Sequence, residues 1–253
     1  MSIKSTLKAV VLWSLRYSHI LPSIWQIRSP FKIQEFREVM RCAQPERNDR
    51  ALDLGCGGGL QTQLLAKQMR EVIGIDLSPE SITKAQQNLR GSKVRGRVHF
   101  HCQALQDLRL PTASLDAVFS FCVLEHIPEL ETVLMEVRRL LKPGGRLQVS
   151  VDSLSTIEDS ALISKHRQDH FVHQYFTIAS LKEQLIRAGL EVVQIFPILT
   201  GPVARREFER RILQQNIGWS LVQRLRLYRQ IRSEDRAASG DKGIMLVAYA
   251  RRS

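Results

Sequence analysis

The segment Ala51-Leu52-Asp53-Leu54-Gly55-Cys56-Gly57-Gly58-Gly59 constrains the fold more than any other part of the chain. An apolar run of strand character passes straight into a loop with four glycines, and residues 60–68 continue at helical spacing. Gly55 and Gly57 permit a sharp turn with positive φ and put no β-carbon between the backbone and a ligand. The helix start after Gly59 would offer unpaired amides to that ligand. The spacing is not the dinucleotide fingerprint, because the third glycine of G-x-G-x-x-G would fall at Leu60, which disfavours a dehydrogenase.

The same strand-then-helix alternation runs through residues 45–197. Strands are predicted at 51–54, 72–75, 98–102, 117–121, 147–151 and 191–196, and helices at 60–68, 78–89, 132–141 and 178–188, the last closed by Gly189. Crossovers of this length imply an α/β fold with a doubly wound, mostly parallel sheet covered on both faces. A final run at 244–250 follows no crossover partner and reads as an edge or antiparallel strand.

Asp76 ends the second strand, 17 residues after Gly59. A carboxylate at the carboxyl end of that strand can accept hydrogen bonds from ribose hydroxyls, so it and the glycine loop together point to a nucleoside without a phosphate. Alone, Asp76 would read as a helix N-cap.

Of 253 residues, 37 are Lys or Arg and 25 are Asp or Glu, a net charge of +12. Residues 45–197 are balanced, with 18 of each sign. Residues 1–44 carry seven basic residues against two acidic, and residues 198–242 carry ten against five. Such flanks suit nucleic acid, an anionic membrane surface, an anionic substrate, or simply solvated helix faces. Residues 7–27 and 203–232 both have amphipathic helical character. Each is either a lid on the core or a membrane-surface helix. No apolar run is long enough to span a bilayer, and Arg16 closes the stretch 9–15 too early for a signal-peptide core. Cys42, Cys56, Cys102 and Cys122 form no CxxC pair and have no His at zinc-like spacing. They read as reduced thiols of a cytoplasmic protein, with no metal expected.

Four ordered motifs carry a family resemblance: residues 52–59, Gly74-Ile75-Asp76-Leu77-Ser78, Phe119-Ser120-Phe121-Cys122-Val123-Leu124-Glu125-His126-Ile127 and Leu141-Lys142-Pro143-Gly144-Gly145-Arg146-Leu147. Together they resemble the class I S-adenosylmethionine-dependent methyltransferases, in particular the small-molecule branch with the ubiquinone and menaquinone enzymes. The resemblance covers about residues 45–197 and the last strand. It implies a seven-stranded Rossmann-like sheet with a final antiparallel strand, a helical N-terminal cap at 1–44, and a methyltransferase domain at 45–253 with a helical insertion at 198–242.

Carried over residue by residue, the resemblance puts the loop Gly55, Cys56, Gly57 and Gly59 under the methionine part of S-adenosylmethionine, with Asp53 ordering its amino group. Asp76 would take the ribose hydroxyls and Leu77 would pack on the adenine. Phe121 and Cys122 would flank the methionine end. The family usually places an Asp at the position of Ala104 to bind the adenine amino group, so one expected hydrogen bond is missing. Gln103 or Gln106 could replace it, and the amide of Leu105 could still reach the ring. The turn at 142–145 reads as structural.

A hydroxyl acceptor benefits from a general base. His170 and His173, between the fifth strand and the next helix, and His126 are the candidates. The flanks would roof the acceptor with Trp13, Tyr17, Trp25, Phe208, Trp219 and Tyr228, unless these rings form the cap's own core. The expected reaction is O- or C-methylation of an apolar, aromatic or lipid-like small molecule, with peripheral contact to an anionic membrane as an option. The alternatives are an RNA methyltransferase using the basic flanks, or a non-catalytic nucleoside-binding module.

Overall fold

A computed structural model describes residues 23–214 and 218–253. Trp13, Tyr17 and most of the N-terminal amphipathic stretch lie outside the described residues. Among the described residues, seven strands and eight α-helices follow in the order α1 (Pro30–Ala43), β1 (Arg50–Leu54), α2 (Leu60–Leu65), β2 (Glu71–Asp76), α3 (Pro79–Leu89), β3 (Val98–Cys102), β4 (Leu115–Phe121), α4 (Leu130–Leu140), β5 (Leu141–Asp152), α5 (Ser160–His170), α6 (Ile178–Arg187), β6 (Glu191–Ile198), α7 (Pro202–Leu213), α8 (Leu221–Ala237) and β7 (Met245–Arg251). Strand order in the sheet is β3-β2-β1-β4-β5-β7-β6.

Alternation along each strand sends apolar side chains to both faces, which is why the sheet is buried twice. Ala51, Ala117, Phe119 and Val247 face one layer, which contains Ile33 and Val39 of α1, Leu64 and Leu65 of α2, and Ile231 of α8. Leu52, Val118, Val149 and Leu246 face the other, against Val133 and Val137 of α4 and Leu181 and Leu185 of α6. Helix α1 therefore belongs to the sheet's own covering layer.

Strand β7 pairs antiparallel with both β5 and β6. It lies inside the sheet, not at an edge, and six of its seven residues are buried. The 142–145 segment continues β5 through a distortion at Gly144 (φ +74°), whose amide pairs with Arg252 at 2.8 Å. Arg252 also donates to the carbonyls of Arg138, Arg139 and Leu141 at the end of α4. Arg224 is buried and donates to the carbonyls of Trp25 and Ile27. Part of the flanking positive charge is thus structural. The sequence did not show helix α5, because its polar segment buries only Leu162 and His166.

Candidate functional site

The carboxyl ends of β1, β2, β4 and β5 meet at one edge of the sheet, as the strand order requires at its switch point. At β1 and β2, Gly55 and Cys56 both donate amides to the Ile75 carbonyl at 2.9 Å, so the loop folds over the end of β2. Gly55 has φ +73°, and a Cβ there would lie 2.3 Å from Val123, so only glycine fits. A Cβ on Gly57 would meet nothing within 4 Å. Gly59 starts α2 in the left-handed conformation.

Asp76 accepts from the amide of Gly57 through one oxygen and from that of Ser78 through the other, both at 2.9 Å. Ser78, not Asp76, caps α3 by accepting from the Ser81 amide. Asp76 is therefore built into the loop, with lone pairs remaining for a ligand. Leu77 follows it, 74% exposed, an unusual display for so large an apolar side chain. Asp53 is buried; Thr62 Oγ1 donates to its Oδ2 at 2.6 Å, while Oδ1 has no partner. Burial pushes the Asp53 pKa up to about 7, against the Thr62 hydrogen bond. An orphaned carboxylate oxygen, an open face over Gly57, a carboxylate at Asp76 and an exposed leucine fit an adenosyl group bearing a free amino group.

The other residues assigned from sequence to this ligand fall differently. Cys56 is buried with its Sγ turned to the Gly57 carbonyl, and burial pushes its thiol pKa up. The Phe121 ring stacks on Phe36 and Phe119 and is 7% exposed, so the core takes it. Ala104 precedes the short helical turn Leu105–Leu108 and is half-buried, while the Leu105 side chain is buried.

Beyond β4 and β5 a cavity of about 540 Å³ opens between α1, α5 and α7. Cys122 sits at its base with φ +54°, a strained conformation for a residue other than glycine. Around it is a buried acidic cluster. Glu35 Oε1 accepts from Ser150 Oγ at 2.5 Å, Lys32 Nζ at 3.0 Å and Cys122 Sγ at 3.2 Å. Cys122 Sγ also approaches Asp152 Oδ1 at 3.7 Å, and Glu125 Oε1 accepts from the Asp152 amide at 3.3 Å. Burial raises the pKa of both Glu125 and Asp152; the Asp152 carboxylate adds to the effect at Glu125, and at Asp152 Glu35 adds to it while Lys32 opposes it. Burial disfavours the Lys32 ammonium, but the Glu35 and Asp152 carboxylates outweigh it and raise the Lys32 pKa.

Cys122, Glu125 and Asp152 each bring a possible ligand atom within 4.8 Å of the others, although the sequence suggested no metal. In this structure Lys32 supplies the balancing cation, and burial raises the Cys122 pKa so that the thiol keeps its proton.

His166 supplies the basic group on the cavity wall, and the sequence reading missed it. Its Nδ1 lies 3.0 Å from the Tyr175 hydroxyl, and that hydroxyl donates to the Ile163 carbonyl. Tyr175 has one proton to give, and the tautomer that leaves the Nε2 lone pair free is the one in which the hydroxyl donates to Ile163 and accepts from His166 Nδ1–H. Nε2 is 3.8 Å from Asp152 Oδ2. Burial, then His170, lowers the His166 pKa to about 4, so the ring is neutral at pH 7. His170 lies beside it, ring centroids 4.6 Å apart, and lines the cavity with His126. His126 Nδ1 donates to the Phe171 carbonyl at 3.3 Å. His173 is exposed, serves through its backbone, and lies outside the cavity lining. The roof rings divide: Phe208 lines the cavity, whereas Trp25 packs edge-on against Tyr228 and Trp219 against Phe31.

Comparison with known proteins bears on the family and the fold. Residues 52–149 match the family model described as a methyltransferase domain. The chain is 42% identical over 107 residues to a ubiquinone biosynthesis O-methyltransferase of Xylella fastidiosa (strain 9a5c), covering 42% of this chain and 43% of that protein. It is 31% identical over 166 residues to the ubiquinone biosynthesis O-methyltransferase of Xanthomonas axonopodis pv. citri (strain 306), covering 62% of this chain and 69% of that protein. The matched part thus spans under half the length of the first of these relatives. Among solved structures, geranyl diphosphate C-methyltransferase from Streptomyces coelicolor A3(2) superposes with a TM-score of 0.64 at 15% identity, over 88% of this chain and 79% of that one, which speaks for the fold alone.

Proposed function

The chain belongs to the class I S-adenosylmethionine-dependent methyltransferases, and on that premise we propose that it methylates a hydroxyl group on a small molecule with an apolar or aromatic body. The 55–59 loop, Asp53, Asp76 and Leu77 would hold S-adenosylmethionine, which supplies a sulfonium methyl already activated toward a lone pair. The chain's own task is to hold the acceptor in line, exclude water and receive a proton.

The observation that carries this reading is a neutral His166 on the wall of a half-open cavity that Phe31 and Phe208 line. A low-pKa base is adequate here, because an oxygen that is gaining a methyl group becomes a strong acid as it reacts. Asp152 Oδ2, 3.8 Å from Nε2, stabilises the imidazolium that results. His126 and His170 line the same space and would orient the acceptor. His166 takes the place assigned from sequence to His170, His173 and His126. Helices α1 and α7 would wall the acceptor through Phe31, Phe208 and Ile212. A cavity of this size suits a small molecule better than a polynucleotide.

Incubation with methyl-labelled S-adenosylmethionine and fractionated cell extract should label a low-molecular-weight, organic-extractable fraction. His166→Gln should lower kcat about a hundredfold or more with an unchanged Kd for S-adenosylmethionine. Label in bulk RNA, or ligand binding with no labelled product, would overturn the reading.

A further inference from the structure

Helix α1 has a second face on a cavity. Opposite Lys32 and Glu35, its residues Gln34, Arg37, Met40 and Arg41 look onto another cavity of about 520 Å³, closed by α8 and the edge strand β6. Four arginines and two carboxylates line it. Both carboxylates are committed to the fold. Glu38 accepts from Arg41 Nε at 2.7 Å, and the Arg41 guanidinium lies over the Phe196 ring. Asp235 accepts from the Thr200 amide and hydroxyl through one oxygen and from Gln34 Nε2 through the other.

Arg37, Arg232 and Arg236 are left, and among the described residues none has a carboxylate partner. Arg232 and Arg236 stand one turn apart on α8, a like-charge pairing that costs stability. The helix C-terminus compensates Arg236, but not Arg37 on another helix. The floor is apolar, from Met40, Phe196 and Pro197. At the back of the cavity Gln34 is fully buried and ties α1 to α8 through Asp235.

We propose that this cavity binds a phosphate group, free or as the head of an anionic amphiphile whose apolar part lies on Met40 and Phe196. Guanidinium forks match phosphate oxygens in pairs. The proposal does not depend on the methyl-transfer reading, since none of these residues lines the catalytic cavity. It does bear on it through α1, which supplies both walls.

The test is calorimetric titration of the full-length protein with inorganic phosphate and, separately, with monomeric dihexanoyl phosphatidic acid. Saturable binding is expected, weakened at least tenfold in the double variant Arg232→Gln/Arg236→Gln and at least threefold in Arg37→Gln, with the Kd for S-adenosylmethionine unchanged. Comparable affinity for the two probes identifies phosphate alone as the ligand, and more than tenfold tighter binding of the lipid identifies a headgroup. Absence of saturable binding by either probe overturns the proposal, as does unaltered affinity in Arg37→Gln and the double variant.

Discussion

The two halves of the site solve the same electrostatic problem by different means. At β1 and β2 each carboxylate is held by its immediate neighbourhood: Asp76 by the amides of Gly57 and Ser78, Asp53 by the Thr62 hydroxyl. At β4 and β5 the carboxylates are crowded together, and a lysine from α1, about 120 residues distant from Asp152 in sequence, supplies the balancing charge. The first half is a product of local sequence. The second exists only after the chain has folded over itself. The first should therefore fail by losing its ligand, the second by losing stability or turnover.

Asp76→Ala tests the first half most severely. In the proposed binding mode it removes the carboxylate that would take the ribose hydroxyls, and hydrogen bonds to a charged group contribute about 1.5–3 kcal/mol each. Two of them correspond to a loss of at least a hundredfold in affinity for S-adenosylmethionine, read by calorimetry. A Kd within threefold of the native protein would show that the loop alone holds the ligand.

Lys32→Met tests the second half. It leaves Glu35 buried and negative beside Cys122, and breaking one side of such a pair costs about 3 kcal/mol. Denaturant unfolding should show that loss, and Lys32→Met/Glu35→Gln should restore at least half of it. Equal destabilisation in the single and double variants would mean that packing of the lysine stem, not its charge, is what counts.

This division also explains what could be read in advance. The glycine loop, Asp76 and the alternating strands each announce themselves within a dozen residues, and the structure places them as expected from that pattern. Glu35 and Lys32 sit in a helix anticipated only as a basic cap, and nothing around them in sequence marks a site. His166 lies in a helix whose polar composition hides its periodicity. Asp152 was within reach. It ends a parallel strand just as Asp76 does, and the rule applied to one carboxylate applies to the other. The interior place of β7 was not legible, because the pairing of a last strand depends on which edge the preceding crossover leaves open.

Asp53 gives the comparison a pH axis. With its pKa raised to about 7 mainly by burial, the folded protein keeps a proton that the unfolded chain loses near pH 4. Its contribution to stability is full below pH 4 and declines as pH rises to 7. A ligand ammonium beside Oδ1 requires the ionised form, so affinity must run the other way. Binding of S-adenosylmethionine should tighten roughly tenfold from pH 5.5 to 7, the proton being released on binding. Asp53→Asn should abolish that slope. A slope that persists in the variant would move the ligand's amino group away from residue 53.

The smallest effect bears on the one position where the first half departs from its family. Ala104 has an extended backbone (φ −71°, ψ 160°) and precedes a short helical turn, a site where aspartate is well tolerated. Ala104→Asp would supply the acceptor that related proteins place against the adenine amino group. A single hydrogen bond of about 0.5–1.5 kcal/mol corresponds to a two- to tenfold lower Kd for S-adenosylmethionine. The gain should vanish with an analogue whose adenine amino group is replaced by hydrogen, because that ligand has nothing to donate. Tightening that is the same for both ligands would mean the new carboxylate acts only through the charge of the sulfonium, and the adenine would then have to lie elsewhere than between Leu77 and residue 104.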